Sequence, residues 1–145
     1  MFLSASALDE RFALPKFAAY SYLLDFGLIL MIVGLVFWAW SVVTFFNRGW
    51  GSSSPLIPPA KLVITPPYSY CRNPITFGAI PYYFGLGILI GSYSFLGLSV
   101  LLVILLVLYL KFVEEARLEK RFGEEYVRYK ERTSFLIPWP GICNR

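Results

Sequence analysis

Glu114 and Glu115 stand side by side where a long apolar run ends, and the polar stretch Pro66-Pro67-Tyr68-Ser69-Tyr70-Cys71-Arg72-Asn73-Pro74-Ile75-Thr76-Phe77-Gly78 stands where another begins. An ionisable group at membrane depth is by default a candidate for function. Paired carboxylates set against a basic, proline-stiffened turn at the polar end of an apolar hairpin suit a pocket for a charged cofactor at a bilayer surface. Adjacent helical positions point about 100° apart, so one carboxylate faces a given pocket while the other can pair with Lys111 or Arg117. Arg72 has two readings, as a ligand of a cofactor carboxylate or of a headgroup phosphate. There is no histidine. The two cysteines, Cys71 and Cys143, fit no metal-ligand spacing, and both fall in segments expected on the reducing side, where a disulfide is not expected.

The elements that must position these groups follow from composition. The chain has 145 residues, 57% hydrophobic, 19% aromatic and 15% charged, an apolar excess far from soluble averages. The apolar residues come in blocks. Phe26 to Phe46 carries no charge and is long enough to span hydrocarbon. Ile75 to Tyr93 is a second uncharged run, interrupted by Pro81, and Phe95 to Leu110 is a third, extended by Lys111, Phe112 and Val113. Gly91-Ser92-Tyr93-Ser94 leaves room for a tight turn between the second and third. The expected fold is an all-α integral membrane protein of about three transmembrane helices, the last two a closed hairpin. Its parts are a possible interfacial segment over 1–19, with Phe12, Leu14 and Phe17 as apolar contacts, and a first span over 20–46. A site-forming loop over 47–74, the hairpin over 75–113 and a helical tail over 114–145 complete it. The first run begins too late and runs too long for a cleavable signal.

Basic residues in short loops set the orientation. Arg48, Lys61 and Arg72 lie in the loop, seven more basic residues follow Val113, and the Gly91 turn carries no charge. Loop and tail are therefore expected in the cytoplasm, with the cofactor site. The formal net charge of +4 is concentrated in these segments, where anionic headgroups attract it, and calls for no nucleic-acid partner. The loop itself is flexible over Gly49 to Ser54 and stiffened by Pro55, Pro58 and Pro59, and loops of this length are usually functional. In the tail, Leu118, Phe122, Tyr126 and Tyr129 recur at helical spacing as a packing face, Gly123 bends the helix, and Glu124 and Arg128 form an i,i+4 pair.

The ordered set Lys61-Leu62-Val63, Pro67-Tyr68, Arg72-Asn73-Pro74, Gly78, Glu114-Glu115, Phe122-Gly123-Glu124-Glu125-Tyr126, Tyr129 and Ile137-Pro138 resembles the isoprenylcysteine carboxyl methyltransferase and phospholipid methyltransferase superfamily. The resemblance covers roughly residues 49 to 140. It implies a membrane-embedded enzyme that moves a methyl group from S-adenosylmethionine to a lipophilic acceptor, whether carboxylate, amine or lipid headgroup. Carried over position by position, it implies cofactor contacts at Lys61, Leu62, Val63, Tyr68, Asn73, Pro74, Ile75, Thr76 and Glu114, with Glu114 and Arg72 as catalytic groups.

The implied chemistry suits a chain without histidine, because an anionic acceptor needs no general base and catalysis can rest on alignment and desolvation. An amine acceptor must lose a proton, to Glu114, Glu115 or a tyrosine. A sterol-reductase-like enzyme using NADPH and a non-catalytic membrane scaffold are the alternatives. Gly85, Gly87 and Gly91 do not have the spacing of a dinucleotide loop and point to close helix packing. Oligomeric state is not legible.

Overall fold

The computed structural model describes residues 9, 20–49 and 61–138. The expected contacts of Phe12, Leu14 and Phe17, the loop residues from Gly51 to Pro59, and Cys143 lie outside the described residues. Among those described, every regular element is helical: α1 (Ser21–Gly49), α2 (Pro74–Ile90), α3 (Tyr93–Tyr109), a π-helical turn (Leu110–Glu114), α4 (Glu115–Phe122) and α5 (Glu124–Arg132). The helix is unbroken from Tyr93 to Phe122, and this segment and α1 are each long and apolar enough to cross a membrane. At 1.5 Å per residue, the 17 residues of α2 rise about 26 Å, near the lower limit for a span. Leu101, Ile104, Leu105 and Phe112 are exposed along the third segment, and Ile29, Val33 and Val36 along α1. Apolar surface on this scale belongs in lipid, and the chain is an all-α membrane protein.

Small residues set the packing of α1 against α2. Gly27, Gly34 and Ser41 recur every seventh position on α1, and Gly78 and Gly85 do so on α2. The helices run antiparallel and so close together that a methyl group at Gly34 would come 2.8 Å from the Gly78 carbonyl oxygen, and one at Gly85 would come 2.5 Å from that of Gly27. Neither α-carbon has room for a side chain. In a medium without a hydrophobic drive between helices, this close backbone approach supplies the van der Waals attraction.

The turn between α2 and α3 is short. Gly91, at φ 69°, ends α2 and donates its N–H to the Gly87 and Ile88 carbonyls. Ser92 caps α3 by accepting the Phe95 N–H at 3.0 Å. The Asp9 carboxylate accepts from the Ser92 hydroxyl at 2.5 Å and from the Ser94 N–H at 3.3 Å, which brings a negative charge to the positive end of α3. Away from the turn, α2 packs on α1 far more than on α3, and no described residue of α1 comes within 8 Å of α3 between Cα atoms.

The chain after the third apolar segment folds back on the loop before α2. Gly123, at φ 54° and ψ −131°, allows the bend between α4 and α5. Tyr126 and Tyr129 are buried beneath it. The Tyr129 hydroxyl donates to the Tyr68 carbonyl at 2.6 Å, the Arg72 N–H to the Ser134 carbonyl at 2.9 Å, and the Asn73 amide to the Phe135 carbonyl at 3.0 Å. The i,i+4 pair expected between Glu124 and Arg128 does not form. The bend instead carries Lys130 back to α4, where it meets Glu119 at 2.6 Å and Glu115 at 3.3 Å. Cys71 is fully enclosed between loop and tail, and burial pushes its thiol up to about 11.

Two outcomes are expected. Gly34→Ala overpacks the α1–α2 seam and costs about 1–3 kcal/mol, read as a lower melting temperature in detergent. In a Cys143→Ser background, Cys71 resists iodoacetamide at pH 8, where about one thiol in a thousand is ionised, and reacts once the chain is denatured.

Candidate active site

A cleft lies where the loop, the π turn and the tail converge, at the polar end of the helices. It holds about 630 Å³ of empty space, part of it open to solvent. Lys61, Leu62 and Val63 come from an irregular, non-helical strip of the loop, and Tyr68, Arg72 and Asn73 from the turns ahead of α2. Glu114 and Glu115 come from the opposite side, at the exit of the third apolar segment. The structure thus brings together seven of the ten residues singled out in the sequence: Lys61, Leu62, Val63, Tyr68, Arg72, Asn73 and Glu114.

Pro74, Ile75 and Thr76 are not in the cleft wall. Pro74 occupies the first turn of α2, where a missing N–H costs nothing, and Pro74 and Thr76 are buried in packing. The wall also contains residues that sequence reasoning had not assigned to a site. Phe45 reaches in from the last turns of α1, with its ring 6.1 Å from that of Tyr68. Leu110 lies in the π turn, and Leu118, Phe122, Tyr126 and Tyr129 line the tail side. Their helical spacing was a legible signal, but it signals packing and cleft lining alike.

The two carboxylates differ sharply. Glu115 is buried and ion-paired, its Oε1 2.6 Å from Arg72 Nη1 and its Oε2 3.3 Å from Lys130 Nζ. These partners replace Lys111 and Arg117, the neighbours expected from sequence. The π turn explains how both glutamates reach one cleft: its N–H groups bond five residues back, as Glu115 N–H does to the Leu110 carbonyl, which narrows the angle between successive side chains. Glu114 is half-buried in the cleft wall and forms no ion pair with any described residue. Arg72 stacks on Phe135, with its guanidinium carbon 5.6 Å from the ring centroid, and its buried Nε has no hydrogen-bond partner among the described residues. Asn73 spends its amide on Phe135, and Tyr68 donates its hydroxyl to the Ser41 carbonyl at 3.3 Å. Burial raises the phenols of Tyr68 and Tyr129, so both remain neutral donors.

Such a cleft offers a carboxylate with no ion-pair partner among the described residues, one exposed lysine and aromatic walls. It suits a ligand carrying a cationic centre, a carboxylate and a flat ring.

The family model described as phospholipid methyltransferase matches residues 23–125. Among curated proteins and among solved structures, nothing matches the chain. The matched stretch runs from α1 through the cleft to α5 and takes in most of the chain, which therefore belongs to the phospholipid methyltransferase family, within the superfamily of membrane methyltransferases that its loop and tail motifs resemble.

Proposed function

We propose that this membrane methyltransferase takes its methyl group from S-adenosylmethionine, bound in the cleft between the loop and the π turn, and passes it to a lipophilic acceptor. The observation that carries the reading is Glu114: a carboxylate with no ion pair among the described residues, beside an ion-paired one, facing the Lys61–Asn73 wall. S-adenosylmethionine supplies a methyl already activated by its positively charged sulfur.

Glu114 holds the cationic part of the ligand, and Lys61, the exposed cation of the wall, meets its carboxylate. Phe45, Tyr68 and Phe122 exclude water and give the adenine an aromatic and apolar wall. Lys61, Leu62, Val63 and Asn73 form the facing wall, and Pro74, Ile75 and Thr76 support it by fixing the first turn of α2. Aligning acceptor and donor in a dry site lowers the barrier without a base when the acceptor is anionic. For an amine acceptor, Glu114 is the carboxylate left to take the proton, because Glu115 is committed to Arg72 and Lys130.

In the proposed topology α1, α2 and the third segment all cross the bilayer, and the cleft and the C-terminal tail face the cytoplasm. Lys61, Arg72 and the basic residues of α4 and α5 gather at the cleft end, whereas the α2–α3 turn carries no charge of its own.

Calorimetric titration of the purified protein with adenosylhomocysteine tests the reading. The native chain is expected to bind it and to ignore NADPH. Glu114→Ala is expected to weaken binding at least about tenfold, in line with the ~1.5–3 kcal/mol of a hydrogen bond to a charged group, with its helical circular dichroism intact. Glu115→Gln is expected to lower the melting temperature instead, because it strands Arg72 in a buried site. Native affinity in Glu114→Ala would remove Glu114 from the site, and binding of NADPH alone would favour a reductase.

A further inference from the structure

A second groove lies behind the tyrosine wall of the cleft. Tyr129 lines both, and the second is bounded further by Ile64, Ser69, Arg128, Arg132, Thr133 and Glu125. It is wide and shallow, with about 960 Å³ of empty space, much of it open to solvent. Arg128 and Arg132 sit one helical turn apart on the same face of α5, and neither makes an ion pair with a described residue. The third basic residue of that helix, Lys130, is engaged by Glu115 and Glu119 on another face. With Glu125 the only acid among the described residues of the lining, the two arginines leave that set net positive.

Three features fit this groove to one kind of ligand. Two guanidinium forks match the oxygens of a phosphate, and Ser69 and Thr133 add hydroxyls. Ile64 lines the groove yet is 47% exposed, so one edge is aliphatic. Ser69 precedes α2 by a few residues and α5 follows the third apolar segment, so the groove sits at the level where those helices leave hydrocarbon. We propose that the groove binds the phosphate of an anionic phospholipid of the surrounding bilayer, with Arg128 and Arg132 holding the phosphate and Ile64 meeting the first carbons of the chains. This site is separate from the methyl-transfer cleft and does not depend on the cofactor assigned there.

The test uses the full chain in phosphatidylcholine-like detergent, with dioctanoyl phosphatidylglycerol and inorganic phosphate as the two probes and melting temperature as the readout. The lipid is expected to raise the melting temperature in a saturable way that high salt weakens. Arg128→Gln/Arg132→Gln is expected to bind it on the order of 30-fold more weakly, the effect of losing two cations near an anionic surface. Arg128→Lys/Arg132→Lys, which keeps the charge and loses the forks, is expected to bind more weakly than the native chain and more tightly than the glutamine variant, and all variants should keep the native adenosylhomocysteine affinity. An unchanged lipid response in the double glutamine variant would overturn the proposal. So would inorganic phosphate stabilising the native chain as well as the lipid does, which would make the source a soluble phosphate.

Discussion

The contact on which the cleft depends is the ion pair between Arg72 and Glu115. One partner precedes α2 and the other follows the π turn, and both side chains are nearly buried, 11% and 9% exposed. Because α2 packs on α1 and makes little contact with α3 beyond their turn, the hairpin does not hold its own open end together. Arg72 and Glu115 do so, aided by Lys130 and by the hydrogen bonds from loop to tail. A buried pair of this kind adds little net stability, since desolvation offsets most of the attraction. Its value is positional: each charge is tolerated only where the other is, so the loop and the helix exit can meet in one register.

That arrangement divides the labour between two adjacent glutamates. Glu115 is consumed by structure, which leaves Glu114 as the carboxylate of the pair with no ion pair among the described residues. The rest of the molecule follows the same separation. The glycine seam fastens α1 to α2, leaving leucine-rich and isoleucine-rich surfaces for lipid, and the polar groups are concentrated at one end. Under the proposed function, the methyl donor comes to that end from water and the apolar acceptor from the bilayer, and a site at the boundary serves both.

Much of the fold was readable because membrane solvation writes itself in blocks. The apolar runs located α1, α2 and the third segment to within a few residues, with α1 running on to Gly49 rather than stopping at Phe46. Gly123 marked the bend, since the positive φ it adopts is rarely open to another residue. The glycines of α1 and α2 carried a packing signal for the same reason that they carry no side chain. What sequence could not give were the partners. Local spacing suggested Lys111 or Arg117 for Glu115, and Arg128 for Glu124, whereas the observed ion pairs of Glu115 and Glu119 reach across the Gly123 bend or across the hairpin. Asp9 reaching the cap of α3 is a contact of the same long-range kind. Phe45 was hidden by its place in a lipid-facing helix, and Thr76 was expected in the cleft but is buried in packing. Neither fact has a local signature.

The π turn has a consequence for how this chain tolerates change. A five-residue loop of backbone inside an otherwise regular helix amounts to one residue beyond what an α-helix would use. It lies within the helix that is unbroken from Tyr93 to Phe122, between the lipid-facing stripe of the third segment and the cleft-lining face of α4. Deleting a single residue between Leu110 and Glu114 would restore ordinary winding and leave the helix downstream near its present phase, but the wide turn that seats both glutamates at the cleft would be gone. Length at this point is therefore constrained as tightly as residue identity, because the extra residue sets where Glu114 and Glu115 stand relative to each other.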